Sequence, residues 1–148
     1  NMRARGRQRY AVNKRSKGVE WSSKNMYVLG AVVLLGLVVH LVHFWSQMQL
    51  VELQGEHLNS FGQDPANGAW LVRYRFSNIW NVVIYLLWFV ALWLHLTHGV
   101  WSMFHSVGWD SKVWRTRVKW IGYILSTLII GAFALIVIII YLQEAAIL

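Results

Sequence analysis

Residues 94–109 read LHLTHGVWSMFHSVGW, and how this stretch is read decides the fold. Three histidines, two serines and two glycines interrupt an apolar, tryptophan-rich run. His95, His98 and His105, with Ser102, fall at helical spacing and so share one side of a helix. A second stretch, HLVHFW from His40 to Trp45, repeats the His-x-x-His pattern inside another apolar run. Polar, metal-capable side chains are costly in membrane-like sequence and mark function there.

The rest of the composition agrees with a membrane setting. Of the 148 residues, 57% are hydrophobic, ten are Trp and one is Pro, which is far more apolar side chain than a soluble domain of this size buries. The chain has no Cys, which excludes disulfides, thiolate ligation of a metal and iron–sulfur clusters on it. The net charge of +8 is clustered. Eight Lys or Arg lie in residues 1–25, against the single acid Glu20. Such a run could bind nucleic acid, with Tyr10 and Trp21 to stack, but beside a hydrophobic helix it reads as a cytoplasmic segment obeying the positive-inside rule, with no nucleic-acid partner. The opening NMRARGRQRYAVNKRSKG shows neither a natural start nor a short apolar targeting region, so the expectation is a fragment lacking its natural N-terminus.

Taken in order, the basic segment 1–25 leads into a first crossing over 26–49, which has no Asp, Glu, Lys or Arg. Gly36, His40, His43 and Gln47 line one polar seam on it, facing inward, while Val and Leu face lipid. Residues 50–78 hold the only Pro and three of the six acids, so they read as an outer loop with room for a short interfacial helix, and His57 is a surface histidine there. A second crossing spans 79–107, a basic inner loop 108–118, a third crossing 119–143, and an outer tail 144–148. On the third, Gly122 with Ser126 and Thr127 with Gly131 form small-xxx-small pairs that admit a neighbouring helix. The fold class is therefore all-α: an integral membrane helical bundle with three transmembrane helices. Lys112, Arg115, Arg117 and Lys119 follow the second crossing, whereas the outer loop has only Arg73 and Arg75, giving an N-in, C-out topology. Trp45, Trp80, Trp109 and Trp120 fall near the ends of crossings, as interfacial anchors.

Depth separates the histidines. His40 lies ~21 Å into a helix rising from the inside, and His95 within ~6 Å of the inner edge, so they stand ~15 Å apart along the membrane normal. Two histidines so placed cannot bind one iron from opposite faces; as haem ligands they serve two haems, each needing another imidazole from elsewhere. His43 and His98 share a face with His40 and His95 and so cannot be the opposite ligands. Gly36 and Gly99, one turn from His40 and His95, leave room beside the ligands for a flat macrocycle. The plain alternative for any one of these histidines is a hydrogen bond to a neighbouring helix. His105 lies at the inner boundary and is no ligand.

With HLVHFW on one helix, LHLTHGVWSMFHSVGW on the next, GVEWSSKNMYVLG ahead of the first, and a basic loop and final helix behind, the chain resembles the cytochrome b membrane-anchor subunit of succinate dehydrogenase and fumarate reductase, in its five-helix, two-haem form. The likeness covers nearly all of this chain and about the last two-thirds of a typical member, so it implies the last three of five helices. It implies that His40 and His95 are axial ligands of two haem b irons, His40 far from the dehydrogenase and His95 near it, with His98 the rival at the nearer haem. His105 stands where many relatives have glutamine. The resemblance also implies a flavoprotein and an iron–sulfur subunit as partners, a membrane quinone (menaquinone) as substrate, no succinate site on this chain, and a place in the bacterial cytoplasmic membrane. Other readings are a di-haem anchor of a formate dehydrogenase or hydrogenase type, and a transporter lined by the same histidines.

Overall fold

The computed structural model describes residues 21–108 and 111–147. The basic run over 1–20 and the anchor expected at Trp109 lie outside the described residues. All regular structure among the described residues is helical: α1 (Trp21–Lys24), α2 (Met26–His43), a 3-10 turn (Trp45–Gln47), α3 (Gln49–Leu53), α4 (Gly68–Phe76), α5 (Ile79–Ser106) and α6 (Lys112–Ile147). Three segments, Met26–Gln47, Ile79–Ser106 and Trp114–Ala146, are long and apolar enough to cross a membrane, with mean hydropathy of 2.3, 1.9 and 2.8. The protein is an all-α, multi-pass membrane bundle.

Local chemistry sets the helix ends. The Asn78 side chain accepts the Trp80 N–H at 2.9 Å and opens α5, and Asn67 does the same for α4 through Trp70 at 3.2 Å. Gly108 closes α5 with φ +84°, its N–H donating to the His105 carbonyl, a backbone state that other residues resist. Ser111 Oγ then accepts the Trp114 N–H at 3.2 Å. Helix α6 consequently starts at Lys112, inside the stretch expected as an inner loop over 108–118, so Arg115 and Arg117 sit on its first turns. Lys and Arg are good helix formers, and once Ser111 caps the end nothing in this stretch breaks the helix.

Long helices α2, α5 and α6 pack with α5 in the middle. Tyr85, Phe89, Val82 and Phe76 meet Ile130 and Val137 in the core. Between α5 and α6, Trp93 Nε1 donates to Thr127 Oγ1 at 2.9 Å, and Gly122 stands close against Val100. Gly122 and Ser126 are buried at this contact as the spacing predicts. Gly131 is not: it floors an open apolar groove of ≈ 300 Å³ with Phe89, Val90 and Thr127. Within the second small pair, Thr127 joins the helix contact through Trp93, while Gly131 lies on its open flank.

Beyond α2 the chain tightens into the 3-10 turn, which takes Gln47 out of the α-helical seam expected for it. Its Oε1 instead accepts hydrogen bonds from the backbone N–H and hydroxyl of Ser60, tying down the loop. That loop is ordered by its own polar groups. Asn59 Oδ1 accepts the N–H of Phe61 and of Gln63, both at 3.0 Å, and α4 carries Leu71 fully inside at 1% exposure.

Candidate functional site: buried histidines on facing helices

Helices α2 and α5 run antiparallel, and their side-chain contacts give the register. A Cβ placed on Gly30 would stand 3.5 Å from the His95 ring, and one placed on Gly99 would stand 3.8 Å from Met26. A Cβ on Gly36 would collide with the Trp88 indole at 2.0 Å. His95 is thus level with Gly30. His40 lies ten residues further along α2, a separation of ~15 Å along the helix axis.

Around His40 the packing is aromatic. Its ring stacks on Trp88 at 5.9 Å and 29° and meets Phe44 at 5.1 Å and Tyr85 at 6.3 Å. Trp88 is itself pinned, its Nε1–H donating to the Val33 carbonyl at 3.1 Å. One turn on, His43 stacks against Tyr85 at 5.9 Å, and its Nδ1 shares a hydrogen bond of 3.3 Å with the Tyr85 hydroxyl, with donor and acceptor set by the His43 tautomer. His43 therefore has an internal partner, which His40 lacks.

Three ring nitrogens stand out: Nδ1 of His40, of His95 and of His98 are each buried without a hydrogen-bond partner. A buried polar atom left unpaired costs about 1–3 kcal/mol, so three in one small bundle call for an explanation. His95 meets α2 beside Gly30. His98, at 8% exposure, is the most buried of the set and meets Trp101 edge-on at 5.2 Å. His57 is exposed on the loop, and His105 is exposed near the end of α5. Among the described residues, no three His, Cys, Asp or Glu side chains converge to hold a bare ion. His40 and His95 each stand as a single imidazole at its own depth.

Imidazoles of this kind fit axial ligation of haem as a donor set: aromatic surroundings, no carboxylate within the first two crossings, and buried nitrogens lacking partners. The slot expected beside Gly36 departs from that picture. The missing Cβ makes room for Trp88, which fills the space next to His40. Near His95 the facing residue is Gly30, where a Cβ would stand at ordinary contact distance from the imidazole.

Tyr85, Trp88 and Gly30 belong to this site and were not singled out from the sequence. A signal existed: Trp88 is seven residues before His95 and three after Tyr85, which sets all three along one side of α5. Comparison with protein-family models, curated proteins and solved structures finds no match for the chain.

Proposed function

We propose that this chain is the membrane-anchor haem b subunit of a succinate:quinone oxidoreductase, carrying electrons between an iron–sulfur subunit and a membrane quinone, menaquinone. The observation that carries the reading is the pair of half-buried imidazoles, His40 and His95, each with a shielded and unpartnered Nδ1, on facing antiparallel helices and at two depths. The likeness of HLVHFW and LHLTHGVWSMFHSVGW to the cytochrome b anchors adds the choice of complex. On this reading the partners are the flavoprotein and iron–sulfur subunits of the succinate dehydrogenase and fumarate reductase family. The setting is the bacterial cytoplasmic membrane, with the N-terminal segment on the cytoplasmic side.

His40 and His95 would each hold a b-type haem through an imidazole nitrogen, and such a haem would supply reversible one-electron carriage. What the chain itself does is hold and insulate. Phe44, Tyr85 and Trp88 fix the His40 ring from three directions, and Trp88 is in turn fixed to Val33. Tyr85 occupies His43 through their shared hydrogen bond and leaves His40 as the free imidazole of that turn. At the other depth Gly30 brings the α2 backbone close to His95 without crowding it.

A dithionite-reduced difference spectrum of the intact protein tests this. We expect b-type bands whose amplitude falls by about half in His40→Ala and by about half in His95→Ala, one haem of two lost in each case. Wild-type protein without b-type bands would end the reading, and so would full amplitude in both variants. Affinity purification should bring down a flavoprotein and an iron–sulfur protein.

A further inference from the structure

If His40 and His95 hold haem, as proposed above, each must turn one ring nitrogen to an iron. Nδ1 of both is shielded by the protein and has no partner. A nitrogen so enclosed cannot also carry an iron, so the ligating atom is Nε2 on each and the proton stays on Nδ1. A metal-bound histidine ordinarily donates that second N–H to a carboxylate, a carbonyl or a water, and the bond fixes the plane of the ring. Neither histidine has such an acceptor here. The plane of each imidazole is therefore left to whatever packs against its faces.

The two sites differ in what that is. Three rings meet His40. Phe44, tilted at 39°, lies one turn on in the same stretch of chain and moves with it. Tyr85 comes edge-on at 65° and is already engaged with His43. Trp88 is the nearest to parallel, at 29°, and it comes from the facing helix. The indole is held independently of His40. Its Nε1–H donates to the Val33 carbonyl at 3.1 Å, it fills the space left by Gly36, and Tyr85 and Phe89 pack against it at 5.8 and 5.6 Å. His95 has no equivalent: among the described residues no aromatic ring stacks on it, and the facing residue is Gly30. Resting on the haem reading, we propose that Trp88 is the positioning residue of His40, setting the plane of the axial imidazole by stacking where a hydrogen bond ordinarily sets it. The haem at His95 has no such device, so the two sites are unlike.

Electron paramagnetic resonance of the oxidised, intact protein in detergent tests this, because the low-spin ferric line of each haem reports the angle between its axial ligand planes. His40→Ala identifies the line of its haem by removing it. Trp88→Leu should shift that line and leave the other in place. Trp88→Phe, which keeps a ring to stack, should return the line towards its wild-type position. Gly36→Ala keeps the indole but displaces it, and should shift the same line; it reads the role even where Trp88→Leu loses that haem outright. Trp93→Leu removes an indole from the α6 side of the same helix, and should leave both lines unmoved even where it lowers stability. A His40 line unmoved in both Trp88→Leu and Gly36→Ala would overturn the proposal while leaving the haem reading intact. Equal shifts of both lines, or a shift in Trp93→Leu as large as in Trp88→Leu, would overturn it too. Wild-type protein with no ferric haem lines would instead end the haem reading, and the positioning role with it.

Discussion

Gly36 and Gly30 lie on the same helix and face the same neighbour, yet they do different things. At Gly36 the missing side chain is where Trp88 goes, and at Gly30 it is a short gap beside His95. Gly36→Ala should therefore push the indole off both the Val33 carbonyl and the His40 ring, at a cost of about 1–3 kcal/mol from overpacking, despite the better helix propensity of alanine. Gly30→Ala meets only an ordinary contact and should be tolerated. Thermal unfolding midpoints in detergent check this: the Gly36 variant should fall well below wild type and the Gly30 variant should stay near it. Equal midpoints would mean that Trp88 does not depend on the glycine. At this scale the sequence was legible in part. That Gly36 stands beside His40 follows from a one-turn spacing, but which ring fills the space depends on the register between two helices, and no local pattern encodes that.

Among the elements, α5 is the centre, and its contact with α6 is the more extensive of the two. The contact rests on Gly122 against Val100, Trp93 bonded to Thr127, and the core around Tyr85 and Phe89. A Cβ at Gly122 would already stand 3.1 Å from Val100, whereas one at Gly131 meets nothing within 4 Å. Gly122→Leu should splay the helices and cost about 1–3 kcal/mol, while Gly131→Leu fills open space and should change stability by less than about 0.5 kcal/mol. The same detergent unfolding assay separates the two, and a destabilised Gly131 variant with an unchanged Gly122 variant would reverse the assignment. Sequence spacing marked both small pairs alike. A small residue permits close approach on either flank of a helix, and only the crossing geometry chooses the flank. The start of α6 was hidden for a related reason: a basic stretch reads as loop by charge, although its residues are good helix formers and need only the cap at Ser111.

Over the whole molecule, alternation of three crossings puts the basic end and the acid-bearing loop on opposite sides of the membrane. With the basic end cytoplasmic, a thiol reagent that cannot cross the membrane should label Glu56→Cys in intact cells, and should label Val107→Cys only after the cells are opened. Both positions are exposed, and the chain has no cysteine of its own to interfere. Labelling of Val107→Cys from outside would invert the orientation.

Three apolar runs of bilayer length, free of acids and punctuated by caps and a closing glycine, determined by themselves that this chain is an all-α membrane protein. The same runs placed His40 and His95 at different depths, because helix rise is constant along a sequence. What only the tertiary structure decided is which polar atoms find partners. His43 is satisfied by Tyr85, Gln47 leaves the helix to hold Ser60, and the Nδ1 atoms of His40, His95 and His98 stay unpaired. Those outcomes depend on contacts between residues tens of positions apart, such as His43 with Tyr85 and Val33 with Trp88. The relative rotation and register of two packed helices set such contacts, and periodicity within one helix does not.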